Sequence, residues 1–323
     1  MNKFIIITSI FHPTDAVKKF ARLKDWQLIV VGDKKTVGDW QYKNTIYLSP
    51  EYQLKLSNKV IKHLPWNSYS RKIAGYAYAI NHGADVIADT DDDNIPYENW
   101  GKNIKFEDEF DTIKGNSFIN IYKHFTKEHI WPRGYPLNKI LEKDTYTIVK
   151  KYAKIGVWQY LADEDPDVDA IYRLTNNKPV YFKKRKNIVL AKGTFSPFNS
   201  QNTFFRKELF PLLYLPAFVT FRFTDILRGL IAQPLLQQEG YALGFGTATV
   251  IQKRNPHNYL NDFASEIPCY LESERVITIA QRAIKKRTTL SDNMLLVYEA
   301  LEKEKIVTKE EVKTVSLWLE NFN

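Results

Sequence analysis

Val86-Ile87-Ala88-Asp89-Thr90-Asp91-Asp92-Asp93-Asn94-Ile95-Pro96 packs four aspartates into five positions at the end of an apolar run. Like charges this close repel unless something neutralises them, and a divalent cation held by carboxylate oxygens is the usual solution. The apolar run reads as a buried strand. It delivers the acids to the carboxyl edge of a sheet, where open α/β folds bind ligands. Alternate residues of a strand point the same way, so Asp91 and Asp93 share a face and are the expected ligands of Mg²⁺ or Mn²⁺. Asp92 points elsewhere, toward a ribose hydroxyl, and Asp89, still inside the strand, is expected to serve structure. A cation held there neutralises the leaving group in phosphate-ester or nucleotide-sugar cleavage.

Outward from this stretch the pattern is strand and helix in alternation. Residues 4–11 and Trp26 to Val31 are apolar runs, the second closed by Gly32-Asp33, and Ile46-Tyr47-Leu48 is a short third strand. Ala16 to Leu23 has helical spacing. Ser68 can cap a helix running to about His82, with Gly83 as its stop. That order predicts an α/β, doubly wound fold. Residues 115–150 read as irregular, with Trp131 to Pro136 an ordered loop. Arg222 to Gly229 looks helical, Gly240 to Ile251 returns to the sheet, and the chain from Ser273 onward is helical and charged, ending in a helical hairpin over Leu290 to Phe322. The expected division is a nucleotide-sugar domain over residues 1–265 and a C-terminal helical extension over 266–323.

Composition narrows the partners. A net charge of +9 suits nucleic acid, an anionic membrane face or a phosphate-bearing small molecule. No zinc-finger spacing, RNA-binding aromatic signature or arginine-rich arm supports nucleic acid. One cysteine, Cys269, excludes an internal disulfide and fits a reducing compartment. The short apolar start breaks at His12-Pro13 with no cleavage site, and no window approaches the ~20 apolar residues of a membrane span. A cytoplasmic protein, peripheral at most to an anionic membrane, is expected. No glycine-rich phosphate loop is present, which removes kinase, GTPase and dehydrogenase readings.

Several other residues carry chemistry or a plainer role. Asp33 either meets a base or ribose or forms a turn. Arg71 and Lys72 sit in a first helical turn, where the dipole disfavours cations. They serve a bound diphosphate or are simply exposed. Asp225, between Arg222 and Arg228, is a candidate general base kept ionised by its neighbours, or an arginine-paired structural acid. His257 is a further metal ligand, a phosphate donor or merely structural. Gln201 and Asn202 offer amides to sugar hydroxyls, and Trp158 a ring to stack on a sugar. Asp163 to Asp169 is a second acidic cluster, read as a solvated loop or one facing the acceptor. The aromatics from Phe204 to Phe221 and the basic face of Arg282 to Arg287 suit an anionic, lipid-linked acceptor or a packed core and a solvated helix.

Gly83 to Pro96, with the preceding Gly-Asp and basic helix, looks like a GT-A nucleotide-sugar glycosyltransferase with a D-x-D motif. Leu64 to Tyr76 followed by that segment, together with Phe198 to Thr203 and Arg222 to Gly229, resembles the STELLO family of glycosyltransferase-like proteins. The last motif is also similar to one in the plant reversibly glycosylated polypeptides, which act on UDP-arabinose. The resemblance covers residues 3–260. It implies a GT-A fold, a nucleoside-diphosphate sugar donor and a divalent cation. It implies that Asp91 and Asp93 hold the metal, that Asp33 meets the base, that Arg71 or Lys72 approaches the diphosphate, and that Asp225 is the base of an inverting displacement. The plant members carry an N-terminal membrane anchor, and none is expected here. A glycan or lipid-linked acceptor in surface polysaccharide synthesis is the expected setting. A nucleotide-sugar mutase and a non-catalytic GT-A-like scaffold are the alternatives.

Overall fold

A computed structural model describes residues 1–115, 117–254 and 257–322. The N-terminal half follows the expected order: β1 (Lys3–Thr8), α1 (Asp15–Phe20), β2 (Gln27–Val31), β3 (Thr45–Leu48), α2 (Pro50–Lys55), α3 (Lys59–His63), α4 (Lys72–Asn81) and β4 (Val86–Thr90). Ser68 caps a 3₁₀ turn over Tyr69–Arg71 that runs straight into α4, and Gly83 at φ +73° lets the chain leave it. β3, β2, β1 and β4 lie side by side in that order, all parallel. Phe4 and Ile6 of β1 face one core and Ile5 and Ile7 the other, so both faces of the strand are covered. Strand order reverses at β1, which has β2 on one side and β4 on the other. A crevice opens beyond the carboxyl ends of those strands.

The chain continues through β5 (Asn94–Pro96), β6 (Glu107–Gly115), β7 (Ser117–Phe118), α5 (Tyr122–Phe125), β8 (Tyr146–Asp163), α6 (Ala170–Asn176), β9 (Ile188–Leu190), β10 (Thr194–Phe195), β11 (Asn202–Arg206), α7 (Thr224–Gln238), β12 (Ala242–Gln252), α8 (Tyr259–Ala283), α9 (Leu290–Lys303) and α10 (Lys309–Leu319). Among the described residues ten strands form one mixed sheet. β11 runs antiparallel to β4, with Thr203 opposite Asp89, and β12 runs parallel to β8. This is the expected GT-A-like architecture, with helices on both faces and a C-terminal helical addition. No helix among the described residues is long and apolar enough to cross a membrane.

Two features depart from the expectation. The stretch read as irregular, 115–150, joins the two strands of a long antiparallel pair, Glu107–Gly115 against Tyr146–Lys154, and the second strand begins inside it. The first half of β8 is exposed on both faces, so it carries no alternation of burial for a sequence pattern to report. The boundary drawn at 265/266 falls inside α8, one helix of 25 residues that accommodates Pro268. Buried Glu266 on that helix accepts from the backbone N–H of Ala170 at 2.7 Å and pairs with Arg222 at 2.7 Å. The terminal hairpin of α9 and α10 forms as expected. Trp318 donates to the Pro211 carbonyl at 2.8 Å, and Glu311 accepts from Tyr214 and from the backbone of Ala217 and Phe218.

Candidate active site

Beyond the carboxyl ends of β1 and β4 lies a cavity of about 340 Å³. One wall comes from the ends of β1 and β2 and the turn before α4: Ser9, Phe11, Asp33, Asn67 and Ser68. The other comes from the start of α7 and the end of β12: Phe221, Asp225, Gln252, Arg254 and, just beyond, His257. The Asp91-Asp92-Asp93 turn joins the two. Ser9 Oγ donates to Asp92 on the first side, and Gln252 Nε2 donates to Asp93 Oδ2 at 3.0 Å on the second.

The four clustered aspartates divide into one structural residue and three that face the cavity. Asp89 is wholly buried between Lys72 and Arg228, each 2.7 Å away, so its charge is matched within the fold. Tyr69 and Lys72 both donate to Oδ1 of Asp91, at 2.6 and 3.0 Å, which leaves Oδ2 to the cavity. Asp93 Oδ1 is buried without a hydrogen-bond partner among the described residues. Burial first, and the neighbouring acids second, push Asp91 and Asp92 up to about 6 and raise Asp93. Unpaired, desolvated carboxylate oxygen of this kind is what a hard divalent cation takes. Among the described residues no group of three or more His, Cys, Asp or Glu side chains is drawn together as a finished cage. The donor set therefore fits a Mg²⁺-like ion held by one or two carboxylates and completed by ligand phosphates and water.

Asp225 stands in the first turn of α7 and faces the cavity. The arginines beside it in sequence do not hold it. Arg228 turns to Asp89, and Arg222 turns to Glu266 at 2.7 Å. Its partner is Arg133, whose Nη2 lies 3.1 Å from both carboxylate oxygens. Arg133 is itself gripped by Asp167 at 2.9 and 2.8 Å. Gly134, at φ +84°, seats this loop on α7, where a Cβ would come within 2.5 Å of Ile226.

A model of the family described as STELLO glycosyltransferases matches residues 222–323. Probable glycosyltransferase STELLO2 of Arabidopsis thaliana is 29% identical over 347 aligned residues, covering 99% of this chain and 44% of the relative. Probable glycosyltransferase STELLO1 of the same plant is 28% identical over 345 residues, with the same coverage. The chain is STELLO-like. It spans less than half the length of the curated relatives it matches.

In this STELLO-like chain the other expected site residues are placed unevenly. Asp33 lines the cavity, but its oxygens accept from the backbone N–H groups of Lys34, Asn67 and Ser68 at 2.6, 2.8 and 3.1 Å. It ties β2 to the turn before α4. Arg71, expected at a diphosphate, also lines the cavity, yet it donates to Gln53 and to the carbonyls of Ile61 and Leu64 and stacks 3.9 Å from the Trp66 ring. Burial lowers it to about 10, only partly opposed by the charge of Asp33. Lys72 is corrected outright: its ammonium is buried against Asp89 and Asp91 rather than offered to a phosphate. His257 lines the cavity with Nδ1 3.1 Å from Asp262, and it is not drawn into one cluster with Asp91 and Asp93. Asn255 and Pro256 of its segment lie outside the described residues.

Three sugar contacts are also corrected. Trp158 is 0% exposed and donates to the Lys105 carbonyl at 2.9 Å, so it is core. Asn202 is consumed by Trp100, Leu161 and Thr249 inside the sheet. Gln201 is buried behind Gln252, to which it donates. The second acidic cluster is not a freely solvated loop: Asp165 pairs with Arg173 and Arg254, and Asp167 with Arg133. Of the aromatic stretch, Phe204, Phe205, Phe210 and Tyr214 are buried. The basic face at Arg282 to Arg287 is helical only to Ala283. Arg133, Tyr69 and Gln252 were missed. Arg133 is 92 positions from Asp225, and no local spacing announces that pairing.

Proposed function

We propose that this chain is a metal-dependent glycosyltransferase that moves a sugar from a nucleoside-diphosphate sugar, UDP-linked, to a hydroxyl of a glycan or lipid-linked acceptor. The observation that carries the reading is one cavity with unbalanced carboxylates at Asp91 to Asp93 and a separate, arginine-held carboxylate at Asp225. Similarity to proteins named as probable glycosyltransferases, along 99% of the chain, supports it. A divalent cation, when bound by Asp91 and Asp93, neutralises the departing nucleoside diphosphate. Asp225 accepts the proton of the acceptor hydroxyl as that oxygen bonds the anomeric carbon and the bond from that carbon to the diphosphate oxygen breaks, which inverts the configuration. Arg133 holds the Asp225 carboxylate in place, and buried Lys72 turns one oxygen of Asp91 toward the cavity. Two unlike walls suit two substrates, which favours transfer over the one-substrate rearrangement of a mutase. The proposed setting is the cytoplasmic side of surface polysaccharide synthesis.

Calorimetric titration with nucleoside diphosphates, with and without Mn²⁺, tests the donor half. UDP binding that needs Mn²⁺ is expected, and no nucleotide binding at all would return the chain to a scaffold role. For the acceptor half, Asp225→Asn is expected to lower turnover of a UDP-sugar by roughly 10²–10⁴ with UDP affinity intact. Unchanged turnover in that variant removes Asp225 from the mechanism.

A further inference from the structure

The aromatic stretch ends in a residue with the opposite fate to the rest. Phe221 is 61% exposed, although Arg222 and Phe223 beside it are buried. It is not a frayed side chain. The turn that carries it is pinned on both sides: Thr220 Oγ1 donates to the Ser265 carbonyl at 2.7 Å, Arg222 N donates to Ser265 Oγ at 3.2 Å, and Phe223 N donates to the Thr220 carbonyl at 2.9 Å. A large apolar ring fixed in an open position at a cavity mouth marks a contact surface more than a packing accident. The ring packs edge-on against Tyr69, with centroids 5.9 Å apart, and Tyr69 donates to Asp91. Asp225 follows four positions later and lines the same cavity.

The first wall carries its own apolar lip, Ile10 and Phe11, exposed by 41% and 44%, on the loop after β1. Two apolar lips on unlike walls, with the acid turn between them, imply two ligands rather than one. The lip beside β1 belongs with the strand ends where open α/β sheets take nucleotides. The lip at Phe221 belongs with Asp225. We propose that Phe221 is the stacking platform of an acceptor-sugar subsite, taking the C–H face of a pyranose so that one of its hydroxyls meets Asp225. An aromatic face is electron-rich and a sugar's C–H face is weakly positive, so stacking orients the ring while its hydroxyls stay free for Asp225 and Arg254. This rests on the glycosyltransferase reading and adds the acceptor's class, a saccharide with an apolar face.

Saturation-transfer NMR tests it on the whole chain with UDP and Mn²⁺ present. The probes are methyl β-D-glucopyranoside, methyl β-D-galactopyranoside and methyl α-D-mannopyranoside. At least one is expected to receive saturation on one ring face. Phe221→Ala should cut that signal roughly fivefold or more, and Phe221→Trp should keep it. UDP affinity should stay within about twofold in both variants. Exposure of the side chain makes unfolding of the variants no rival explanation, and a thermal melt checks it. A glycoside signal equal in wild type and Phe221→Ala overturns the subsite, as does no signal in the wild type. A fall in UDP affinity instead gives Phe221 to the donor's base and also overturns it. Phe221-dependent glycoside binding without any UDP binding leaves this subsite standing and sinks the nucleotide-sugar reading.

Discussion

Asp89–Asp93 and Asp163–Asp169 are both dense in acid, and the fold treats them in different ways. In the second segment most charges meet a cation: Glu164 pairs with Lys253, Asp165 with Arg173 and Arg254, and Asp167 with Arg133. Asp163 and Asp169 are the exceptions. Asp163 takes the Tyr97 hydroxyl and the Phe182 N–H, each at 2.8 Å. Asp169 takes the Tyr172 N–H and the Trp131 indole but no arginine, and burial pushes it up to about 6. In the first segment Asp89 is matched twice over, Asp91 shares Lys72 with it, and Asp92 and Asp93 receive hydrogen bonds from Ser9 and Gln252 without an ion pair. Acid density therefore does not mark a site. Desolvated acid left without a cation, beside a cavity, does.

Removing one acid of each kind should have opposite effects on stability. Asp167→Ala and Asp89→Ala each strand buried guanidinium or ammonium groups, and each is expected to cost about 3–5 kcal/mol in urea unfolding. Asp93→Asn removes a buried charge offset only in part, by a hydrogen bond from Gln252 and the charge of Arg254. It is expected to leave stability unchanged or raise it by about 1 kcal/mol. A loss at Asp93 as large as that at Asp167 would erase the distinction.

Metal-dependent binding should separate the two segments as well. Asp93→Asn is expected to weaken Mn²⁺-dependent UDP binding roughly thirtyfold, about 2 kcal/mol, by titration calorimetry. Asp165→Asn, from the matched segment, should leave that binding within about twofold. If both variants bind alike, the unmatched acids are not the metal's.

Much of the first segment was legible because the information is local. An apolar run, a Gly-Asp corner and a Ser-capped helix fix strand order, and strand order fixes the crevice at β1 and β4. The acids of residues 91–93 had to arrive there. What was not legible depends on partners far along the chain. Lys72 reads as an exposed or phosphate-facing cation until the fold sets it against Asp89, and Arg133 reads as a loop residue until Asp225 and Asp167 close on it. Trp158 and Phe221 show the same limit for aromatics. Both sit near apolar residues in sequence, and only the pairing of β8 with β11 and β12 in the sheet places the first in the core while a pinned turn exposes the second.

The smallest expected effect concerns pH and separates the segments by sign. Burial raises Asp92 to about 6, above the ordinary aspartate value of about 3.9. The folded state then binds more protons than the unfolded chain between those values, so stability falls as pH rises through about 4 to 6 and is flat above. Asp167 goes the other way. Burial opposes its charge, but Arg133 and Arg222 outweigh burial and hold it well below the ordinary range. Its contribution is intact above about pH 4 and is lost only as pH falls further. In the window between, Asp92 titrates and Asp167 does not. Urea midpoints taken across that window should decline, and Asp92→Asn should make the decline shallower by at most about 1.4 kcal/mol per pH unit, the limit for one proton. Asp91 and Asp169 keep part of the slope in that variant, since both also lie near 6. A slope that Asp92→Asn leaves unchanged would mean that Ser9 already neutralises the cost of burying this carboxylate, and that the unmatched charge beside the cavity is carried by Asp91 and Asp93 alone.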